Sequence, residues 1–443
     1  MFLRFVILAL ISAAILAGAT SYLFRRLVRT FDLGPRARRS LAWILGVATA
    51  LAAGIRLFGW VPTLVLAPIE IAAFIVMLTA VFAAVVLGGI DLALLLATLP
   101  ERVRRRRAAS TSISMPAPPE LELATSSTEL VASPPELVPL QISALEPALE
   151  APIAAPTAPL PHLPRRAFLA QVTAGSAVCV GVSSSIYGTL VGRHDYAIID
   201  VPARIPGLSR RLDGYTIVQL SDVHLGTFVG EPEVRAAEEM VRRARPDLLI
   251  LTGDLIDHDP RYAGLLGRFV RRLGAYARDG VVAIPGNHDY YTGIKAVRAA
   301  ITGAGGAMMI NEGRVIGDAG AGFALLGIDD LYGPRSDARS PGPDLDRAIA
   351  SVPADLPRVL LCHNPQFFPR AAGKVALQLS GHTHGGQINF GLPSARVVLG
   401  HSFIAGGYRL GETSLYVNRG FGTAGPPARI GAPPEVSRII LTV

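Results

Sequence analysis

Hydrophobic positions are unevenly distributed along this 443-residue chain. Three long apolar stretches, residues 5–24, 41–60 and 69–99, fill the first hundred positions with few charges inside them. A helix that crosses a bilayer needs about 20 mostly apolar residues. Stretches this long and this sparsely charged predict three transmembrane helices rather than buried helices of a soluble domain. Arg56 falls near one end of the second stretch. Glu70 and Asp91 fall near the ends of the third, where they can reach an interface. A milder apolar run follows Arg165 and continues to Gly192. Beyond it the pattern changes. Short apolar, often β-branched runs at 216–220, 248–251, 281–284, 323–327, 359–361, 375–379 and 415–417 read as strands. Residues 233–245, with Val234, Ala237, Val241 and Ala244 on one face, read as a helix, as do 265–276 and 294–301. Alternating elements of this kind predict an α/β domain over 193–443.

Composition agrees with a membrane region joined to a globular one. Half of the residues are hydrophobic and 17% are charged, against roughly 25% charged in typical soluble domains. The formal charge of +8 raises the question of a nucleic-acid partner. Its distribution answers against one: residues 1–192 hold 15 Lys+Arg and 10 Asp+Glu, and residues 193–443 hold 27 and 24. The excess lies in membrane flanks. Arg25, Arg26, Arg29, Arg36, Arg38 and Arg39 separate the first two stretches, with Asp32 the only acid among them. Arg102 and Arg104 to Arg107 follow the third, and the loop 61–68 has no charge. The positive-inside rule then places the N-terminus outside and both Arg clusters in the cytoplasm.

Residues 108–164 contain six Glu, twelve Pro and no Lys, Arg or Asp, the composition of an extended, disordered linker. The following Arg165-Arg166-Ala167-Phe168-Leu169 looks like the core of a twin-arginine export signal, which would make the export machinery a partner. An ordinary fourth membrane helix with an Arg flank explains the same residues. Either reading sends 193–443 to the outer side of a bacterial inner membrane. A cytosolic catalytic domain is the topological alternative. The organisation expected is therefore three transmembrane helices (1–107), a linker (108–164), a fourth helix or signal anchor (165–192) and a catalytic domain (193–443). Cys179 and Cys362 do not form a disulfide framework.

The polar residues that carry chemistry follow the predicted strands. Ser221-Asp222-Val223-His224 follows the first, Gly253-Asp254 the second and Gly286-Asn287-His288-Asp289 the third. Cys362-His363-Asn364 and Gly381-His382-Thr383-His384-Gly385-Gly386-Gln387 come later. Ligand sites in open α/β sheets assemble at such strand ends. Singly, an Asp-x-His, a Gly-Asp turn or a lone His363 is an ordinary structural feature. Five of the nine histidines fall in these segments, which makes a joint role the better reading. Mixed imidazole, carboxylate and amide donors suit borderline first-row divalent ions such as Mn, Fe or Zn rather than calcium or magnesium. Two ions about 3.5–4 Å apart could hold a nucleophilic water and phosphoryl oxygens together.

The ordered set Asp-x-His, Gly-Asp, Gly-Asn-His-Asp, His and Gly-His-x-His resembles the calcineurin-like metallophosphoesterase superfamily over residues 215–443. The resemblance implies a four-layer αββα sandwich and two divalent metal ions. It implies Asp222, His224 and His384 on the first ion, Asn287, His363 and His382 on the second, and Asp254 bridging them. His288 would stabilise the transition state or protonate the leaving oxygen, and Asp289 would orient it. Gly381 to Ile388, and the tail Tyr416-Val417-Asn418-Arg419-Gly420-Phe421-Gly422 through Arg429 to Glu435, look like a membrane-associated or twin-arginine-exported bacterial branch. That branch includes envelope phosphodiesterases and resembles some UDP-diacylglucosamine pyrophosphatases.

The reading that results is a membrane-tethered phosphoesterase, with a phosphodiesterase favoured. Its substrate would be an envelope or lipid-linked phosphomonoester, phosphodiester or pyrophosphate at the bilayer. The rivals are a nuclease and a metal-binding sensor without turnover. The near-neutral domain argues against a track for a phosphate backbone. His288 argues against the sensor, which has no need of it. His194, His258 and His401 lie outside the motifs, and no substrate-binding residue is identified.

Overall fold

The computed structural model describes residues 2–54, 63–111, 164–318, 320–338, 340–389 and 401–443. Most of the Pro-rich segment, and Arg56, lie outside the described residues. The chain forms two compact units, Met1–Leu87 with Thr173–Val443, and Gly88–Val172.

Four helices precede the sheets: α1 (Phe2–Thr30), α2 (Pro35–Gly54), α3 (Thr63–Thr111) and α4 (Arg165–Ile186). α3 runs to Thr111, past the linker boundary expected at 108, because the run Arg102–Ala109 consists almost entirely of helix-favouring Arg and Ala. At 49 residues it is about 74 Å long. Two stretches, Val65–Glu101 and Arg165–His194, are long and apolar enough to cross a membrane. In the first unit, Leu23, Leu45, Ala80, Ala83, Leu87, Ala174 and Ala177 form a shared core of the four helices. Small residues let the backbones approach: a Cβ on Gly181 would lie 2.8 Å from the Thr79 carbonyl oxygen. The exposed faces of these helices are apolar, as at Trp43 (73% exposed) and Val85 (68%).

The remainder is two six-stranded mixed sheets. The first has the order β1-β12-β2-β3-β4-β5, from β1 (Ala197–Arg204), β2 (Thr216–Leu220), β3 (Leu248–Thr252), β4 (Val281–Ile284), β5 (Ala307–Met308) and β12 (Glu435–Thr442). The second has the order β10-β11-β9-β8-β7-β6, from β6 (Glu312–Ile316), β7 (Phe323–Gly327), β8 (Arg358–Leu361), β9 (Leu377–Ser380), β10 (Gly406–Leu410) and β11 (Thr413–Val417). β2, β3, β4 and β5 run parallel, as do β11, β9, β8 and β7.

Side chains alternate across each strand, and both faces of the central strands are covered, so these strands read as unbroken apolar runs. Leu248 and Ile250 face Leu325, Val359 and Leu379 of the other sheet in one core. Leu249 and Leu251 face a second core made with α5 (Glu231–Ala244), α6 (Ala263–Gly274) and the helix Ile294–Thr302. A third core, with Ala348, Phe367 and Ala371, covers the outer face of the second sheet. This is the four-layer αββα sandwich implied by the motifs. Cys179 is exposed and Cys362 buried, and both are free.

Candidate metal centre

The central parallel strands β2, β3, β4, β8 and β9 each end in one of the polar segments. Backbone pairing continues past the strand ends and sets their register. Asp222 N–H donates to the Gly253 carbonyl at 3.0 Å and His224 N–H to the Asp254 carbonyl at 3.0 Å. Asp222, His224, Asp254, His382 and His384 all adopt positive φ, between 50° and 73°. Non-glycine residues rarely adopt that conformation, and where they do the strain commonly marks a functional site. Two glycines make room. A Cβ on Gly286 would collide with Asp254 Oδ1, and one on Gly381 with Ser221 Oγ and Asp222 Oδ2.

These turns aim the side chains at one another. His224 Nε2 and His384 Nε2 lie 3.1 Å apart, and Asp222 Oδ1 is 3.4 Å from His384 Nε2. On the other side His363 Nε2 lies 3.2 Å from His382 Nδ1 and 3.3 Å from Asp254 Oδ2. Asp254 Oδ2 is also 3.8 Å from His224 Nε2, so this carboxylate joins the two groups. Donors about 2.1 Å from one ion are separated by about 3–3.5 Å, and both groups meet that spacing.

Proton positions follow from the partners. His363 Nδ1 faces the Thr252 carbonyl at 2.7 Å, which can only accept, so Nδ1 carries a proton. Burial opposes a second proton on this ring, but Asp254 and Asp222 outweigh it and raise the imidazole well above its ordinary value, so Nε2 offers a lone pair to a cation on giving up that proton. The same logic puts a proton on His288 Nδ1, which lies 2.8 Å from the Asp257 carbonyl. Burial lowers the His382 imidazole to about 3 and the His288 imidazole to about 4, so both are neutral at physiological pH. Burial opposes ionisation of Asp254, but the imidazoles of His363 and His288 outweigh it and hold the carboxyl well below its usual range. Asn287 Oδ1 is buried with no hydrogen-bond partner. An orphaned amide oxygen beside two groups of converging lone pairs fits a cationic ligand, since each such acceptor is costly when left unpaired.

Asp289 departs from the expected role. Its Oδ2 accepts from Gly286 N–H at 2.9 Å and Asp254 N–H at 3.0 Å, and its Oδ1 from Leu255 N–H at 2.9 Å. It therefore holds the backbone of two ligand-bearing turns and does not orient the His288 ring, which takes the Asp257 carbonyl instead. The reason is position: Asp289 lies in the first turn of the short helix Asn287–Thr292, where its carboxylate faces free backbone N–H groups.

His258, close enough to Asp254 in sequence to line the site, does so, and Asp257, Tyr332, His401, Asp330 and Arg429 join it without having been singled out by a motif. Asp257 lies 3.5 Å from His224 Nδ1, 3.6 Å from His288 Nδ1 and 2.9 Å from His258 Nδ1. Its place three residues after Asp254 was the available signal. His258 stacks edge-on to His288 at 4.7 Å, while Tyr332 and His401 lie 5.6 and 5.4 Å from His382. Asp330, beyond β7, is buried with Oδ2 unpartnered, and burial raises its carboxyl to about 6. Arg429 is 1% exposed and explains the tail. It donates to the carbonyls of Gly422 at 2.9 Å, Gly420 at 3.0 Å, Arg419 at 2.8 Å and Ala432 at 3.0 Å. The loop it holds in turn donates to the Ser221 and Asp222 carbonyls from Phe421 and Gly422, each at 2.8 Å.

An αββα sandwich with histidines and carboxylates converging at the strand ends defines a metallophosphoesterase, and the chain belongs to the calcineurin-like metallophosphoesterase family. The family profile for calcineurin-like phosphoesterases matches residues 215–386. A metallophosphoesterase of Bacillus subtilis (strain 168), YkuE, is 33% identical over 233 residues, 51% of this chain and 78% of its own length. One from Aquifex aeolicus (strain VF5) is 31% identical over 51% of this chain and 84% of its own length. A protein of Bos taurus named transmembrane protein with metallophosphoesterase domain is 33% identical over 60% of this chain. The chain spans 61% of the length of that relative and 60% of its Danio rerio counterpart.

Proposed function

We propose that this protein is a membrane-tethered, metal-dependent phosphoesterase. In this reading Asp222, His224 and His384 would hold one divalent cation, Asn287, His363 and His382 would hold a second, and Asp254 would serve both groups. The observation that carries the reading is the meeting of two donor groups at Asp254 beside the orphaned oxygen of Asn287. Bound divalent cations supply Lewis-acid catalysis, lowering the pKa of water and neutralising phosphoryl charge. The chain's own residues orient the reaction. His288, anchored through Nδ1 on the Asp257 carbonyl, directs Nε2 away from that anchor, and it would serve a leaving oxygen as an acid only after gaining a second proton on Nε2. Asp257 steadies both His224 and His288. Asp289 fixes the turns that carry Asp254 and Asn287.

The membrane reading is supported by the two long apolar helices and by the relatives named transmembrane. The layering within the first unit supports the orientation. Leu16 of α1, Ala52 of α2 and Phe74 of α3 share a core with Phe228 and Ala428 of the sandwich. Leu23, Leu45 and Leu87 form the next layer away, and Arg25 to Arg39 lie beyond that. The sandwich and the α1–α2 Arg cluster thus lie at opposite ends of the bundle, as expected for a catalytic domain outside and Arg residues in the cytoplasm. In this reading residues 165–192 are a permanent helix, since Gly188 and Gly192 pack closely on Arg429 and Ile430.

The test uses the full chain in detergent with added Mn²⁺ and bis-p-nitrophenyl phosphate. Asp254→Ala should abolish turnover and lower bound metal measured by plasma mass spectrometry. His288→Ala should keep the metal and lose about 10²–10⁴-fold in rate. Unaltered turnover in both variants would overturn the assignment.

A further inference from the structure

We propose that a cavity walled by Tyr290 is a binding site for a small organic phosphomonoester, separate from the metal centre and joined to it through the frame of the sandwich. The cavity is about 360 Å³ and is lined by Lys295 and Arg298 of the helix Ile294–Thr302, by Arg347 of the helix Leu345–Ala350, and by Tyr290, Ile310 and Pro341. Cavities that hold small molecules start at about 300 Å³. None of these residues is a candidate metal ligand, so the site does not depend on the phosphoesterase reading.

Its charge points to the ligand. Lys295 and Arg298, three positions apart, share one face of their helix, while Val297 and Ile301 bury the other. Arg347 is brought to the same hollow from a separate segment. Among the described residues the three cations make no ion pair or side-chain hydrogen bond, whereas Arg272, Arg278 and Arg438 of the same sandwich meet carboxylates. Asp337 is the one acid among the described lining residues, so cations exceed anions there by two. Like charges held around one hollow repel, and an anion that enters relieves that cost. A phosphomonoester carries about −1.5 to −2 charges at pH 7, close to that excess, and a carboxylate carries only one. Tyr290, Ile310 and Pro341 offer apolar surface beside the cations for the carbon portion of the ester.

The walls are held by a buried network. Asp329 is buried and accepts from the Tyr290 hydroxyl, from Ser340 Oγ at 2.6 Å and from Gly342 N–H at 3.0 Å. Its own N–H donates to Asn311 Oδ1 at 3.0 Å, and Asn311 Nδ2 donates to the Gly342 carbonyl at 2.7 Å. Ile310 adjoins Asn311, and Pro341 sits between Ser340 and Gly342. These bonds therefore fix three sides of the hollow relative to one another before any ligand enters. The same network reaches the metal centre. Tyr290 lies in the short helix Asn287–Thr292, which begins at Asn287, with its orphaned amide oxygen, and carries His288. An anion that steadies Tyr290 from one side of this helix steadies the candidate ligand on the other.

The experiment uses the full chain in detergent, stripped of metal with EDTA, and isothermal titration with phenyl phosphate, inorganic phosphate and benzoate. Phenyl phosphate should bind once per chain, about threefold or more tighter than inorganic phosphate and about tenfold or more tighter than benzoate. Arg347→Ala, and Lys295→Ala combined with Arg298→Ala, should each weaken phenyl phosphate about tenfold or more. All three side chains are exposed, so the variants should keep the wild-type Tm. Bound phenyl phosphate should also slow hydrogen exchange through residues 287–302, and the double variant should lose that protection. Binding unmoved in both variants, or benzoate held as tightly as phenyl phosphate, would overturn the site. Inorganic phosphate held as tightly as phenyl phosphate would overturn the organic ligand. Binding without protection of residues 287–292 would overturn the link to the metal centre.

Discussion

Backbone N–H groups from Gly286, Asp254 and Leu255 point at the two oxygens of Asp289, and that is the reason for a carboxylate there. An amide in its place would set an NH₂ donor against backbone donors. Asp289→Asn is therefore expected to destabilise the sandwich by about 2–4 kcal/mol, read as a lowered Tm, even though the residue touches no substrate. Arg429 belongs to the same class of buried polar support. Burial pushes its guanidinium down to about 10, yet five or more N–H···O contacts to carbonyls keep it in place. Arg429→Met should cost about 3–5 kcal/mol and should also loosen metal binding, because the 418–422 loop clamps the strand end that bears Asp222. Thermal denaturation with and without Mn²⁺ measures both effects.

At the scale of elements, the site is made of strand ends forced into positive φ, and glycines pay for the crowding that results. Gly381→Ala should lose metal affinity without unfolding the sheets, since its Cβ would strike Ser221 and Asp222, whose positions set one ligand group. Isothermal titration with Mn²⁺ checks this, and wild-type affinity would contradict it. The strands themselves were legible in the sequence because burial on both faces leaves continuous apolar runs: β2, β4 and β7 begin and end where the pattern places them. β1, β6, β10 and β12 were not. β6 and β10 lie at the edges of the second sheet with exposed positions, and β1 at the edge of the first, so their apolar signal is diluted. β12 contains Glu435, Ser437 and Arg438, whose polar side chains find partners in Tyr416, Asn418 and Asp200. Phe74 is the corresponding test for the helices. Phe74→Ala should cost about 3–5 kcal/mol of docking, seen as faster hydrogen exchange through the segment around Phe228.

For the whole molecule, the exposed large apolar side chains among the described residues gather on the four N-terminal helices. In the sandwich they are few, with Tyr291, Val315 and Leu410 among them. A monomer in water rarely shows such a surface, which is the physical basis for proposing a bilayer around α1–α4. The orientation makes a clear prediction. A reporter fused after Val443 should be active if it is an exported alkaline phosphatase and dark if it is green fluorescent protein. A fluorescent cytoplasmic fusion would reverse the proposed topology.

Local chemistry was decided by the sequence alone: apolar runs long enough to cross a bilayer, Arg clusters at their flanks, and donor residues placed immediately after parallel strands. These are short-range properties, written in composition and spacing. Only the tertiary structure decided which partners those donors take, because Arg429 and Tyr332 reach the centre through contacts between distant segments that no spacing records. It also decided that α3 packs on the segments that follow His224 and His384. That placement depends on Phe74 meeting Phe228 across more than a hundred and fifty residues of chain, a contact that no local pattern contains.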